Sequence, residues 1–509
     1  MLYHSLYQDI SSCVKWDGVV SPTFCELQGV RQGGIPSTEL FKAQTNNLLN
    51  LVEGSQLGYR IGIIDCAVPT CADDSILLSP SRGNLQVLMN IALDDSHRER
   101  YQFSSKKSVA MVFNSKVPNK IWDEIQPWTL MEPVPVKGEE IHLGLVRTND
   151  GKATRTVERN IIQARKSYYS LLGVGMYGLN GLHPLVSIHI WNTYVMPVLT
   201  FGLEVLPLTQ GHLSLLEIFQ RTILRSIQHL PRGTSNAATY LLLGVQPVEA
   251  VIDRNTLVFF NSLCHNKDSV EANILKRQIL MTKTGSNSVV WKIKDLLCKY
   301  GLPSIHTLTV NPPPKHLWKS IVKDGINTYW TDRLQQEARW KTSLKHLGIL
   351  SCSVTTAHSV WTTTPFNRRD IIKAAIKVKL LTGQYPLQTV QARWKQHVNN
   401  TCPLCDIEPE TVEHFLLTCS RLQRTREMNM EKLNNIMIQA CIPLTPSNTI
   451  TTILDIKKLF NISHCALYDI ESTSRDLIFQ LHSRRVYLLS GLQENVPSDG
   501  SPTTRRKQK

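Results

Sequence analysis

The segments Gln28-Gly29-Val30-Arg31-Gln32-Gly33-Gly34 and Cys71-Ala72-Asp73-Asp74 decide how the rest of this chain is interpreted. The Asp-Asp pair stands between two short apolar runs, Ala67-Val68 and Ile76-Leu77-Leu78, which predicts a β-hairpin with both carboxylates at its tip. Adjacent carboxylates repel one another, and a bound Mg²⁺ relieves the repulsion because this hard ion takes carboxylate oxygens together with substrate phosphates. An isolated Asp-Asp pair also occurs in ordinary turns.

The first segment supplies groups that a nucleotide site needs. Gly33 and Gly34 let the backbone approach a nucleotide closely, and Arg31 and Gln32 offer hydrogen-bond donors to base, sugar or phosphate. Ser37 is a candidate N-cap for the helix that follows. Together these residues predict a nucleotide cradle that opens into a helix.

In their order and spacing the two segments resemble the palm of reverse transcriptases from non-LTR (LINE-type) retrotransposons. Phe103-Ser104-Ser105-Lys106-Lys107-Ser108 is similar to the lysine motif of that family, and His142-Leu143-Gly144-Leu145 is similar to its primer-grip box. The resemblance implies that Asp73 is a direct Mg²⁺ ligand, that Asp74 is its partner, and that dNTP is the nucleotide held. It also implies that Lys107 protonates the pyrophosphate leaving group, although Lys107 can equally be a solvated charge.

The family has an earlier palm strand whose aspartate bridges both ions in two-metal phosphoryl transfer. Only Asp9 and Asp17 precede the Gln-Gly motif here, and neither follows an apolar strand. Asp17-Gly18 instead predicts a hairpin turn between the strands Cys13–Trp16 and Val19-Val20. We therefore expect the fingers and the first half of the palm to be missing, and the chain to be inactive by itself. Cys71 also departs from the family, which has an aromatic residue there.

Composition limits the function classes. The chain has 509 residues, a formal net charge of +15 and a pI near 9.2, which favours a polyanionic partner, although many soluble proteins are basic. Its 12 cysteines are mostly scattered, as in a reducing compartment, and no signal peptide begins at Met1. Residues 167–203 lack Asp, Glu, Lys and Arg, but glycines, prolines and histidines interrupt them, which predicts buried helices rather than a membrane span. We expect an intracellular protein of the nucleus and cytoplasm, without a membrane anchor.

Residues 213–230 have helical apolar spacing, with Arg221 and Arg225 on one face. The resemblance implies a thumb whose arginines contact the backbone of a template–primer duplex, and the alternative is a helical bundle with solvated arginines. Further along, aromatic residues alternate with Lys and Arg, which is typical of base stacking or, more simply, of a core. These aromatic residues are Trp318, Tyr329, Trp330 and Trp340.

A metal-binding pattern lies near the C-terminus, where Cys402 and Cys405 form a Cys-x-x-Cys turn that His414 and Cys419 follow. Three thiolates and one imidazole are the ligand set of a structural Zn²⁺ with no open position. His414 falls on a predicted helix, residues 410–417, and Cys419 lies beyond its end. The pattern is similar to the CCHC finger that follows the polymerase in many LINE-type elements, and the alternative is a set of unconnected thiols.

Basic residues precede this pattern. Residues 370–381 predict an amphipathic helix with Lys373 and Lys377 on one stripe, ended by Gly383. Arg393 and Lys395 flank Trp394. We interpret these four basic side chains as a surface that contacts the phosphates of RNA.

The predicted fold class is α+β: a partial polymerase palm and fingers, then a mainly α-helical thumb and C-terminal region with a small zinc-binding module. The predicted function is an RNA-directed DNA polymerase fragment that extends a DNA 3′-hydroxyl on an RNA template. The alternatives are a non-catalytic zinc-finger RNA-binding protein and a zinc-stabilised structural protein; the sequence does not set the oligomeric state. The predicted domains are a partial palm (1–147), a thumb (148–262), a helical connector (263–365), a basic arm with the finger (366–490) and a disordered basic tail (491–509).

Overall fold

The computed structural model describes residues 8–26, 29–30, 33–104, 106–114, 128–130, 132–178, 181–283, 285 and 288–494. The chain divides into two compact units, Met1–Gly151 with Asn266–Met281, and Lys152–His265 with Thr282–Lys509. Helices dominate and the strands form small pairs, so the α+β class is confirmed at this coarse level. Most of the predicted thumb, connector and arm lies in the second unit.

The strands of the first unit are short and form separate antiparallel pairs. Each described strand has two to four residues, and each pairs with one partner only. The turn predicted at Asp17-Gly18 is confirmed, since Trp16 pairs with Val19 across it. The antiparallel pairs are Ser11–Ser12 with Phe24–Cys25, Lys15–Trp16 with Val19–Val20, Arg60–Ile61 with Ile64–Asp65, Thr70–Cys71 with Asp74–Ser75, Trp128–Leu130 with Glu132–Val134, and Glu139–His142 with Leu145–Thr148.

Helices Ser37–Gly54 and Arg82–Arg98 supply the apolar faces of the first unit, and Val270–Met281 is a further helix of this unit. Helix Arg82–Arg98 is capped by Ser81, whose hydroxyl accepts a hydrogen bond from the Asn84 N–H at 3.2 Å. The predicted N-cap at Ser37 is wrong by one position, because Pro36 stands there and Ser37 is the first helical residue. Two small buried clusters result, one around Leu88 and one around Trp128.

The second unit is helical. The helix predicted over 213–230 is confirmed as Gln210–Ile227, and its first turn is fixed by Thr209, whose hydroxyl accepts from the His212 N–H. The other helices of this unit are Thr154–Ser170, Pro184–Ile190, Met196–Thr200, Asn236–Leu241, Val248–His265, Val289–Lys299, Ile305–Val310, Lys315–Arg339, Ser359–Thr362, Arg368–Leu381, Gln388–Gln391, Gln423–Gln439, Thr449–Asp455 and His464–Glu494, joined by short 3₁₀ turns and by π-turns at Trp191–Val195 and His414–Thr418.

The uncharged stretch 167–203 forms short helical pieces rather than one long helix. Buried residues such as Trp191 and Leu199 pack it into the second unit. Within the described residues, no helix has both the length and the apolar character needed to cross a bilayer.

Large aromatic side chains fill the core of the second unit. Trp318 and Trp330 are buried, as a core interpretation of these residues predicts, whereas Trp340 is 87% exposed. Both of these buried indole N–H groups find an acceptor: that of Trp318 donates to the Leu257 carbonyl at 2.8 Å, and that of Trp330 donates to the Tyr300 hydroxyl at 3.2 Å. Gly244 allows a close chain approach, because it has φ +62° and a Cβ there would lie 2.4 Å from the Thr356 carbonyl carbon.

The C-terminal half of this unit packs around the long helix His464–Glu494, which contacts Arg368–Leu381 and Gln423–Gln439. Apolar residues of all three helices join one buried cluster. The predicted helix at 370–381 is confirmed as Arg368–Leu381, and Gly383, with φ +64°, follows its end. This three-helix arrangement supports the metal-ligand candidates described next.

Candidate metal centre

A tight turn brings Cys402 and Cys405 together. The Asp406 N–H donates to the Cys402 carbonyl at 2.9 Å, and the Cys402 N–H donates to the Glu408 carbonyl at 2.8 Å. Asp406 adopts φ +51°, a left-handed conformation that Asp tolerates well. Residues Thr401 and Pro409 form a β-bridge that closes the turn. The Cys-x-x-Cys spacing therefore folds into a knuckle with both sulfurs on one side.

His414 and Cys419 come from a short helix that ends in a wide turn. The helix covers residues 412–418, with a π-turn at His414–Thr418 in which the Cys419 N–H donates to the His414 carbonyl at 2.9 Å. Cys419 itself leaves helical geometry, with φ −57° and ψ 117°. The prediction that Cys419 lies beyond the helix end is confirmed. The extra residue in the π-turn returns Cys419 to the side of His414.

The four ligand atoms converge on one point. They all lie within 4.8 Å of one another, with Cys402 Sγ 3.9 Å from Cys419 Sγ and Cys405 Sγ 3.4 Å from His414 Nε2. A tetrahedral ion with bonds of about 2.3 Å to sulfur and 2.0 Å to nitrogen requires S···S near 3.8 Å and S···N near 3.5 Å. The chain thus presents a closed four-ligand cluster that fits one zinc-like ion.

A carboxylate orients the imidazole of this cluster. Glu408 Oε2 lies 2.8 Å from His414 Nδ1, and the Thr418 hydroxyl lies within 3.3 Å of the same carboxylate oxygen. A proton on Nδ1, shared with Glu408, leaves the Nε2 lone pair facing the three sulfurs. The sequence analysis did not identify Glu408 as a partner of His414. Its position six residues before His414 is the one local feature that could have suggested this role.

The thiols differ in their proton affinity. Burial raises the pKa of Cys402 to about 12 and also raises the pKa of Cys419. For Cys405, burial acts in the same direction, but backbone N–H groups of Ile407 and Glu408 stabilise the thiolate and bring its pKa down to about 7. A metal ion that binds here therefore displaces protons mainly from Cys402 and Cys419.

Two buried arginines tie the cluster to the helices around it. Arg485 on the C-terminal helix makes a bidentate pair with the buried Glu410, with its Nε 2.6 Å from Oε1 and its terminal nitrogen 2.9 Å from Oε2. Arg426 donates to the carbonyls of Leu416 and Cys419, both at 2.8 Å. Cys402 and Cys419 are themselves part of the large buried cluster of this unit. The metal ligands are thus built into a helical core.

The predicted hairpin at the Asp-Asp pair is present. Cys71 pairs with Asp74, so Ala72, with φ +53°, and Asp73 form the two-residue turn. The prediction of both carboxylates at the tip is wrong by one position, because Asp74 begins the return strand. Both carboxylates are exposed. Within the described residues, the one group of three or more candidate metal ligands is the Cys402 cluster, so no third His, Cys, Asp or Glu joins Asp73 and Asp74 there.

Other predicted palm residues take varied positions. Arg31 and Gln32 lie outside the described residues, and Gly33 adopts φ +83°, a left-handed conformation that glycine adopts without strain. Lys107 is exposed in a turn in which its N–H donates to the Ser104 carbonyl at 2.9 Å. The segment 142–145 is a hairpin turn, since His142 pairs with Leu145.

Four of the six predicted phosphate contacts have protein partners. Arg221 pairs with Glu217 at 2.5 Å, Arg225 donates to the Thr234 carbonyl at 2.9 Å, and Lys373 pairs with Asp370 and Asp476 at 2.8 and 2.6 Å. The assignment of Lys377 to an exposed stripe is wrong, because its side chain is fully buried and bonded to Glu471 and Ser474. The C-terminal helix covers that face of Arg368–Leu381, and a carboxylate there makes the buried charge tolerable.

Arg393 and Lys395 are different, because both are exposed, as is Trp394 between them. They lie on a segment whose two ends are held by Glu410: the Thr389 hydroxyl donates to the Glu410 carbonyl at 2.6 Å, and the Glu410 N–H donates to the Asn400 carbonyl at 2.8 Å. We call residues 390–399 the basic loop. The folding of the metal cluster therefore also fixes the base of this loop.

Comparison with known proteins adds no relative. The chain matches no protein-family model, and a search of curated proteins finds no significant match.

Proposed function

We propose that this chain is a reverse transcriptase of the non-LTR (LINE-type) class and that its second unit holds single-stranded RNA for the reaction. The observation that carries the proposal is the four-ligand cluster of Cys402, Cys405, His414 and Cys419, together with the basic loop tied to Glu410. The order of the Gln-Gly, Ala-Asp-Asp, lysine and primer-grip segments supports the family assignment.

Zn²⁺ is the proposed ion of the cluster. Three sulfurs and one imidazole are soft ligands that favour zinc over magnesium or calcium, and they occupy all four tetrahedral positions. The role of the ion is therefore to stabilise the fold, because no position is open for water or substrate.

Mg²⁺ is the proposed ion at Asp73 and Asp74, where it would bind the dNTP phosphates while a DNA 3′-hydroxyl attacks. Asp73 and Asp74 are exposed on a tight hairpin, which leaves them accessible to a metal–nucleotide complex. Two-metal transfer also requires a bridging carboxylate, and the described residues bring none to this pair.

That observation favours a second candidate function, a non-catalytic zinc-stabilised RNA-binding protein. Primer extension on an RNA template with Mg²⁺ separates the two. Incorporation of dNTP that is abolished by Asp73→Ala supports polymerisation. RNA binding without incorporation supports the second candidate.

Binding itself is tested with a fluorescently labelled RNA at low salt. We expect the zinc-loaded chain to bind it, with an affinity that falls steeply as salt rises, because phosphate contacts release counterions. Failure to bind RNA at low salt overturns both candidates and leaves a zinc-stabilised structural protein.

A further inference from the structure

The tetrapeptide Ala-Arg-Trp-Lys occurs twice in the second unit, at residues 338–341 and 392–395. In both copies the tryptophan lies on the surface: Trp340 is 87% exposed and Trp394 is 82% exposed. The flanking basic residues are exposed as well. Indoles are usually at least partly covered in folded proteins, so two such exposed tryptophans with the same basic neighbours are a feature that packing does not explain.

Both copies occupy the same kind of local structure. Trp340 caps the C-terminal end of helix Lys315–Arg339, and the Lys341 N–H donates to the Ala338 carbonyl at 3.0 Å. Trp394 follows the short helix Gln388–Gln391, and the Lys395 N–H donates to the Gln391 carbonyl at 3.0 Å. Each tetrapeptide therefore lies at the C-terminal end of a helix, in a hydrogen-bonded turn.

Both copies are also tied to the metal-bearing segment. Lys345, shortly after the first copy, forms an ion pair with Glu413 at 2.7 Å, and Glu413 precedes the metal-ligand candidate His414. The second copy belongs to the basic loop, whose two ends are held by Glu410. The two tryptophans are therefore presented by segments that meet residues 410–413.

The positive charge of this region indicates what kind of ligand binds to it. Residues 338–405 contain a single acidic residue, Asp370, and ten Lys or Arg, of which seven are exposed: Arg339, Lys341, Lys345, Arg368, Arg369, Arg393 and Lys395. A strongly basic surface with exposed aromatic rings suits a polyanion whose bases are unpaired, because a base stacks on an indole while phosphates pair with neighbouring cations. A duplex keeps its bases stacked inside and cannot use the rings in this way.

We propose that Trp340 and Trp394 are two base-stacking platforms for single-stranded RNA, with Arg339, Lys341, Arg393 and Lys395 on the adjacent phosphates. This inference rests on the proposed function, and it assigns the contacts with single-stranded RNA to named side chains: bases to the two indoles and phosphates to the four basic residues.

The test measures fluorescence anisotropy of a labelled oligouridine, which lacks secondary structure, and of a blunt RNA duplex. Trp340→Ala and Trp394→Ala are each expected to weaken oligouridine binding about tenfold, within the range for stacking on one aromatic ring. The oligouridine affinity of the double variant is expected to fall about a hundredfold when one strand contacts both rings. Duplex binding is expected to be unchanged.

Trp16→Ala is the matched control, because Trp16 is 81% exposed but has Lys15 on one side and Asp17 on the other. It should bind oligouridine like the unaltered chain. Trp394→Phe should retain most of the affinity, since a phenyl ring still stacks. A Lys341→Ala/Lys395→Ala variant should reduce the salt dependence of binding, which the tryptophan variants should leave intact.

The inference is overturned when the unaltered chain binds oligouridine and the tryptophan variants, with normal circular dichroism and zinc content, bind it equally well. Equal weakening of oligouridine and duplex binding overturns it too, because stacking requires unpaired bases. When the unaltered chain binds no oligouridine at low salt, the proposed function fails together with the inference.

Discussion

Replacing Glu408 with alanine tests how the metal cluster is held. Glu408 Oε2 is 2.8 Å from His414 Nδ1, and the variant keeps the Glu408 carbonyl that accepts from Cys402. Loss of a carboxylate behind a metal-bound histidine weakens metal affinity by about 10- to 100-fold. The Glu408 side chain is 56% exposed, so water can replace it in part, and we expect a loss near the lower end, about tenfold.

The assay is competition for Zn²⁺ against a chromophoric chelator, with Glu431→Ala as the control because Glu431 is exposed on helix Gln423–Gln439. Glu431→Ala should leave zinc affinity unchanged, and Cys419→Ser should reduce it far more than Glu408→Ala does. An affinity of Glu408→Ala equal to that of the unaltered chain would refute the assigned orientation of His414. A loss as large as that of Cys419→Ser would show that Glu408 acts as a ligand rather than through His414.

Three further predictions concern the second unit. Removal of the metal by a chelator should accelerate amide hydrogen exchange in residues 402–422, because Cys402 and Cys419 belong to the buried cluster; unchanged exchange would contradict this. Lys377→Ala should lower the free energy of unfolding by about 3 kcal/mol in urea denaturation, because it leaves Glu471 buried without its ammonium partner. The variant should leave the salt dependence of RNA binding unchanged, and a weaker salt dependence would instead indicate that Lys377 contacts phosphate. Gly244→Ala should lower the free energy of unfolding by at least about 1 kcal/mol, because a left-handed backbone and a 2.4 Å approach to Thr356 both oppose a Cβ, and a neutral effect would contradict that geometry.

Local chemistry made several elements predictable. The hairpins at Asp17-Gly18 and at the Asp73-Asp74 pair follow from turn residues between short apolar runs, although the second turn lies one residue earlier than predicted, at Ala72-Asp73. The helix Gln210–Ile227 follows from apolar periodicity. The metal ligands were predictable for the same reason, because Cys-x-x-Cys is a local turn and one short helix supplies the remaining two residues.

Long-range partners were not predictable in this way. Lys377 has the helical spacing of a surface residue, and its burial depends on Glu471, which lies 94 residues further along the chain. Glu410 likewise pairs with Arg485, 75 residues away. Trp330 lies on helix Lys315–Arg339 and is buried, whereas Trp340 directly follows this helix and is exposed. The difference depends on which side of the helix the rest of the unit covers.

The RNA affinity of the zinc-loaded chain, compared with that of the same chain after chelation, shows whether the metal cluster organises the RNA-binding loop. Because both ends of the basic loop are bonded to Glu410, we expect one zinc ion per chain. We also expect an oligouridine affinity at least about tenfold lower without zinc, which is restored when Zn²⁺ is returned. A chain that binds no zinc, or one whose oligouridine affinity is the same with and without zinc, would contradict this role of the cluster.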